Sequence, residues 1–163
     1  MSLKRRLVVG ALSLSAAGLV GIAGYEGYSD EAYIPINGDV PTIGFGSTEG
    51  VKMGDTITPP KALERLMRDV GVAESAIGKC VKVPLYQHEY DAFTSFAFNV
   101  GTSAFCSSTL VKKLNQGDYD GACEEILRWN KQKRIDSNGR VYYVELRGLT
   151  NRRKSEYEIC KGR

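Results

Sequence analysis

Residues 25–50 read YEGYSDEAYIPINGDVPTIGFGSTEG, and the architecture turns on them. Gly, Pro, Asn and Asp recur between aromatic and β-branched residues, the pattern of short strands separated by tight turns. Asn37-Gly38 is a hairpin-turn pair, because both residues tolerate the positive φ that a two-residue turn imposes. It predicts partner strands over Ala32–Ile36 and Val40–Phe45. Downstream the apolar period lengthens to that of a helix. Thr58 reads as an N-cap with Pro59 at the first helical position. Leu63, Leu66, Met67, Val70, Ala73 and Ile77 then follow at helical spacing. A second amphipathic helix is expected from Tyr86 to Val100, with Tyr90, Phe93, Phe96, Ala97 and Val100 on one face. Shorter helices fit Ser108–Leu114, Tyr119–Asn130 and Leu149–Ile159, punctuated by Gly101, Gly117 and Gly148. The expected class is α+β, mostly helical with one small early sheet.

Upstream, Leu7 to Gly24 reads LVVGALSLSAAGLVGIAG, without a charge, behind the cluster Lys4, Arg5, Arg6. As one helix of 18 residues it would span roughly 27 Å, close to the ~30 Å of a bilayer core. A basic cluster before an apolar run reads as an export signal. Ten of the 18 residues are Gly, Ala or Ser, so the run is only weakly hydrophobic. Three readings stay open at this point: a weak uncleaved anchor, a signal peptide cut near Ser15-Ala16-Ala17, and a buried helix.

The whole chain has 163 residues, the length of one domain or of two small lobes, and 42% hydrophobic with 25% charged residues excludes disorder. It carries 22 basic and 19 acidic side chains, and beyond residue 6 the two balance at 19 each. A nucleic-acid partner is therefore not expected. The single His, His88, reads as a surface or packing residue at a helix start. The four Cys, at 80, 106, 123 and 160, form no C-x-x-C pair. No metal site and no cofactor are expected, and no G-x-S-x-G elbow or phosphate-binding loop is present.

What remains is a set of carboxylates around the hairpin: Glu26, Asp30, Glu31, Asp39 and Glu49. Most surface carboxylates are only solvated charges. Glu26 differs, since it closes the apolar run and precedes Gly27. An acid at the negative end of a helix dipole and partly desolvated has its ionised form disfavoured, which suits a general acid. A second carboxylate on the hairpin would complete the pair that glycoside hydrolysis needs.

The order Glu26-Gly27, Tyr33, then Pro41-Thr42-Ile43-Gly44-Phe45-Gly46 resembles the active-site hairpin of the bacteriophage lysozymes, glycoside hydrolase family 24. The resemblance runs on through Phe98-Asn99-Val100-Gly101, Asn115-Gln116-Gly117-Asp118, Arg128-Trp129 and Gly148-Leu149 with Arg152-Arg153. The basic, weakly apolar N-terminus resembles the signal-anchor-release subgroup of phage endolysins. This implies a lysozyme-like fold, with a hairpin lobe and a helical lobe flanking a substrate cleft. It also implies a catalytic Glu, Asp and Thr. Glu26 matches the acid and Thr42 the threonine. The position nine residues after Glu26, where the family has its aspartate, is Pro35 here, and the Glu-to-Thr interval is one residue longer. Asp39, three residues before Thr42, is the preferred substitute, ahead of Asp30 or no carboxylate at all.

The implied activity is muramidase cleavage, with inversion, of the bond between N-acetylmuramic acid and N-acetylglucosamine in peptidoglycan, by a monomer exported to the periplasm. A lytic transglycosylase, or a membrane-tethered wall-binding module without catalysis, would be the alternatives. Residues 1–25 would be the anchor segment and 26–163 the catalytic domain, with residues 7–24 inserted transiently in the inner membrane. Because the family's acid ends its first helix, the apolar run would have to become that helix after release, which disfavours cleavage. In an exported domain four Cys allow three pairings; Cys123 with Cys160 is preferred, leaving Cys80 with Cys106, against four reduced thiols packed in the core.

Overall fold

A computed structural model describes residues 5–35 and 38–163. After a 3-10 turn at Val9–Ala11 come helix α1 (Ala16–Glu26), strands β1 (Ser29–Tyr33) and β2 (Thr42–Gly44), and helices α2 (Pro59–Cys80) and α3 (Gln87–Val100). Helices α4 (Thr102–Ser107), α5 (Thr109–Asn115) and α6 (Tyr119–Ile126), strands β3 (Lys131–Ile135) and β4 (Val141–Glu145), and helix α7 (Arg147–Cys160) complete the chain. The mostly helical α+β class read from the sequence is the one observed.

Helix α2 is the spine. At 22 residues it runs roughly 33 Å, and its buried face steps through Ala62, Leu66, Val70, Ala73 and Ile77 at helical spacing. Its first half serves the hairpin, where Ala32, Ile43 and Val51 form a small cluster. Its middle meets Ile22 of α1. Its last turns join the main core, in which Phe93, Phe96, Phe105, Leu110, Leu114 and Ile126 are fully buried.

The hairpin differs in its limits from the sequence expectation. Strand β1 starts at Ser29, three residues early, because it is bonded on both edges. On one side Ser29 and Tyr33 pair with Gly44 and Thr42. On the other, Ala32 N–H donates to the Asp55 carbonyl at 2.9 Å and Ile57 N–H to that of Asp30 at 2.8 Å. Pairing stops ahead of Pro35, which has no N–H to give. Ile36 and Asn37, the end of the expected strand and half of the expected turn pair, lie outside the described residues.

The apolar run is not one helix. Leu7 exchanges two backbone hydrogen bonds with Leu85 at 2.7 and 2.8 Å, and α1 begins only at Ala16. The break has polar causes. Leu14 N–H donates to Glu74, Ser15 N–H and hydroxyl both donate to Asp91, and the Ser15 side chain caps Gly18 N–H. Among the described residues no helix is long and apolar enough to cross a membrane. Ahead of the run, the Arg6 guanidinium sits between the rings of Tyr119 and Tyr86, at 3.6 and 4.4 Å from their centroids, and donates twice to buried Glu89 at 2.8 and 3.1 Å. That hydrogen-bonded pairing holds Arg6 further above its already high pKa.

In the C-terminal half, α6 stops at Ile126 and not Asn130, as i→i+3 bonds from Leu127, Arg128 and Trp129 tighten its end. Helix α4 and the β3–β4 ribbon had no counterpart in the sequence reading. Both expected disulfides are present, Cys80–Cys106 tying α2 to α4 and Cys123–Cys160 tying α6 to α7. Replacing Cys123 and Cys160 together by Ser should lower the unfolding free energy by about 2–4 kcal/mol, read as a lower urea midpoint at unchanged slope.

Candidate active site

Glu26 is the last residue of α1, and Gly27, at φ 70°, turns the chain out of the helix toward β1. Its side chain is 22% exposed, and Oε1 accepts a hydrogen bond from Arg152 Nη1 at 2.8 Å. Arg152 is itself buried in α7 and held from several sides. Its Nε donates to Glu156 Oε1 at 3.1 Å, Nη2 reaches the Ser95 carbonyl at 3.5 Å, and the guanidinium lies 4.7 Å from the Tyr25 ring centroid. Ser95 hydroxyl donates to the same Glu156 oxygen at 2.7 Å. The other Glu156 oxygen faces Arg153 Nε at 3.2 Å, an ion pair without hydrogen-bond alignment. Arg153 also donates to Asn99 and lies 5.0 Å from the Phe96 ring centroid. Burial lowers the Arg153 pKa, and burial raises that of Glu156 against the pull of both arginines and Ser95.

The glycines of the Thr-Ile-Gly-Phe-Gly strand are set by close approach. Gly44 turns at φ 65°, and a Cβ there would stand 2.9 Å from the Ala62 methyl, so glycine lets the hairpin lie against α2. Gly46, at φ 86°, comes so near Glu26 that a Cβ would stand 3.3 Å from Oε2. Between them the chain reverses, Ile43 and Ser47 exchanging two backbone hydrogen bonds at 3.0 Å. Ser47 hydroxyl then donates to Asp69 of α2 at 2.7 Å, fixing the turn. Glu26 thus presents one oxygen to a buried cation and the other to the hairpin backbone.

Thr42 is buried at the start of β2, its hydroxyl donating to the Val40 carbonyl at 3.1 Å, which leaves its oxygen lone pairs able to accept. Asp39 is exposed between the turn at Gly38 and β2. Among the described residues no hydrogen bond or ion pair ties Asp39 to Glu26 or Thr42. Asp30 is exposed on β1. Glu49 borders a small polar hollow with Ser47, Arg65, Arg68 and Asp69. His88 stacks on Tyr86, 5.3 Å between centroids, away from this site. No group of three His, Cys, Asp or Glu able to hold a metal occurs among the described residues.

A family model for phage lysozyme matches residues 23–156, from the last turn of α1 to Glu156. The chain belongs to the phage lysozyme family. It is 41% identical over 145 residues to an endolysin of Acyrthosiphon pisum secondary endosymbiont phage 1, covering 89% of this chain and 95% of the relative. A SAR-endolysin of Pseudomonas phage phiKMV is 39% identical over 145 residues, covering 89% of this chain and 86% of that one. Among solved structures, an endolysin from Escherichia coli O157:H7 phage FAHEc1 superposes with a TM-score of 0.80 at 37% identity, over 91% of this chain and 93% of that one. The chain is accordingly a glycoside hydrolase of the lysozyme type.

Sequence reasoning singled out Glu26, Asp39 and Thr42 but assigned no part to Arg152, Glu156 or Ser95, which the structure places around Glu26. A signal for the first two was present in α7. Leu149, Arg152, Arg153, Glu156 and Cys160 fall at i, i+3, i+4, i+7 and i+11, the spacing of a buried stripe, so charges there had to be paired internally. Glu156→Ala should therefore cost about 3–5 kcal/mol in urea unfolding, because it leaves buried Arg153 without its counter-charge. Glu156→Gln, still able to accept from Ser95 and Arg152, should cost less.

Proposed function

We propose that this lysozyme is a phage endolysin, a muramidase that opens the β-1,4 bond between N-acetylmuramic acid and N-acetylglucosamine in peptidoglycan, with Glu26 as general acid. The observation that carries this reading is the Arg152–Glu26 contact, which immobilises Oε1 and leaves Oε2 beside Gly46. A carboxyl fixed in this way can deliver a proton from Oε2 to a leaving glycosidic oxygen without a conformational search. Asp39 and Thr42 would hold and activate water on the opposite sugar face. The outcome would be inversion, for which the carboxyls should stand roughly 6.5–9.5 Å apart in the working enzyme. Thr42 suits the role because its hydroxyl proton is already committed to Val40, so its oxygen can accept from that water. Asp39 suits it by position and exposure, and a turn one residue longer than the family's is the reason a carboxylate displaced along the chain could serve.

The enzyme acts as a monomer in the periplasm, after transient insertion of residues 7–24 in the inner membrane. Support comes from the uncharged run behind Lys4, Arg5 and Arg6, and from the naming of the phiKMV relative as a SAR-endolysin. Helix α1 is lightly held: only Ile22 is fully buried, Val20 is 72% exposed, and small residues at Ala17, Gly18 and Gly21 leave a pocket of about 180 Å³ against α3 and α7. While that run lies in lipid, Glu26 cannot reach Arg152, so the tethered enzyme is inactive by geometry.

Glu26→Gln should lower the rate of turbidity clearing of chloroform-treated Gram-negative cells by at least about 100-fold, and clearing at the parental rate removes Glu26 from the reaction. Asp39→Asn should fall comparably while sparing the unfolding midpoint. Parental products should carry a free reducing end, a 1,6-anhydro end identifying a transglycosylase instead. A chain beginning at Gly24 should be inactive or unfolded; full clearing by it overturns the anchor-to-helix reading.

A further inference from the structure

Among the described residues the β3–β4 ribbon makes no hydrogen bond or ion pair with Glu26, Asp39, Thr42 or Arg152. Its root is fixed where Trp129 packs edge-on to Phe96, 5.5 Å between centroids, and Leu146 N–H donates to the Asn130 carbonyl at 3.0 Å. Beyond the root it leaves the core. Every residue of β3 is exposed, and on β4 Val141, Tyr142 and Tyr143 are 50, 46 and 65% exposed. Two strands with both faces in water gain little from burial, so stability of the catalytic domain does not account for this element.

Its side chains are patterned. Unbroken register places Lys133 opposite Tyr143, Arg134 opposite Tyr142 and Ile135 opposite Val141. Cross-strand partners share a face and successive residues alternate. One face therefore carries Lys131, Lys133 and Tyr143 together with Ile135, Val141 and Glu145, and the other Arg134 and Tyr142 with Gln132 and Val144, Arg140 lying beyond them on that side. Lys131 faces Glu145 at 3.8 Å with both side chains largely exposed, a pair worth little. Lys133, Arg134 and Arg140 form no ion pair among the described residues. Residues 131–145 hold four basic and two acidic side chains, whereas the rest of the chain holds 18 basic and 17 acidic. The ribbon is a cationic arm on a body whose charges nearly balance.

We propose that this ribbon is a second contact surface for peptidoglycan, separate from the Glu26 site, on which Lys133, Arg134 and Arg140 take the carboxylates of the peptide stems while Tyr142 and Tyr143 lie against the glycan. The inference rests on the muramidase reading for its ligand. Charge complementarity supports it, since peptide stems carry free carboxylates and a guanidinium or ammonium binds these well. Two-sidedness separates this ligand from an anionic lipid surface. A ribbon lying on a membrane needs one apolar and one charged face, whereas here a cation stands beside a tyrosine on each side. A wall meshwork offers ligands to both faces at once.

The test is co-sedimentation of the full chain with purified sacculi, in a Glu26→Gln background so that the wall stays intact. The triple variant K133Q/R134Q/R140Q should bind about tenfold more weakly, the sum of three modest exposed contacts, and should lose most of its sensitivity to added salt. Sacculi amidated with carbodiimide should bind parent and variant alike, at the weaker level. Tyr143→Ser should weaken binding by itself. None of these positions touches the core, so the urea midpoint should not move, and Lys133→Gln alone supplies a milder variant should it do so. Equal binding of parent and triple variant to native sacculi overturns the proposal, as does unchanged binding of the parent to amidated sacculi. Preferential loss of binding to phosphatidylglycerol vesicles would assign the ribbon to lipid and overturn it as well. Degradation of the sacculi by the Glu26→Gln chain would count against Glu26 and not against the ribbon.

Discussion

The hydrogen bond from Arg152 to Glu26 joins residues 126 positions apart, and the site exists only when α1 and α7 are both in place. Neither partner stands alone. Arg152 is oriented by Glu156 and Ser95, and Glu156 in turn counters Arg153, which reaches Asn99. This line of charges replaces apolar packing along the inner face of α7. Buried ion pairs of this kind contribute little net stability over a hydrophobic core, but losing one member is costly. Their effect is on placement, since a guanidinium gripped on three sides gives Glu26 one available position.

That arrangement makes the site depend on the docking of α1, and α1 is a poor candidate for docking by burial. One fully buried isoleucine contributes about 1.5–3 kcal/mol, a small return for ordering a helix of Ala and Gly. The deficit is met by polar ties upstream, where Glu74, Asp91 and Glu89 accept from Leu14, Ser15 and Arg6. These contacts also explain why the run is broken in water. Ser15 can cap a helix only where one starts, and Leu7 can pair with Leu85 only if extended.

The sequence was most legible where one residue type had one physical use. Pro59 after Thr58 located the start of α2, and the glycines at 44 and 46 marked a strand pressed against its surroundings. The position of Glu26 at the end of a helix could be read because an apolar run and a glycine bracket it. Arg152 could not, since its meaning depends on a partner 126 residues away that no local pattern names. The ribbon was lost for a related reason. Its alternation of Lys, Arg, Tyr and Val reads as strand only if a buried face is not required, and neither of its faces is buried. Strand β1 was misplaced because its second neighbour, residues 55–57, pairs with it from outside the hairpin.

Arg6 bears on the proposed membrane-inserted condition of the N-terminus as well as on the folded one. As part of the basic cluster it would mark the cytoplasmic side of an inserted run, yet in the folded molecule it occupies a site built for a guanidinium, two tyrosine rings and a buried carboxylate that also accepts from Tyr86 N–H. With the run in lipid, Glu89 would be left without its cation in a pocket where only 3% of it reaches water. A carboxylate so placed disfavours the closed form of that pocket. A domain tethered in the proposed way would then be less well ordered at the N-terminal end of α3, the same helix that supplies Asp91 to Ser15. Under the proposed release, return of the N-terminal segment would satisfy Glu89 and Asp91 together, so capture of Arg6 and formation of α1 would favour each other and bring Glu26 to Arg152.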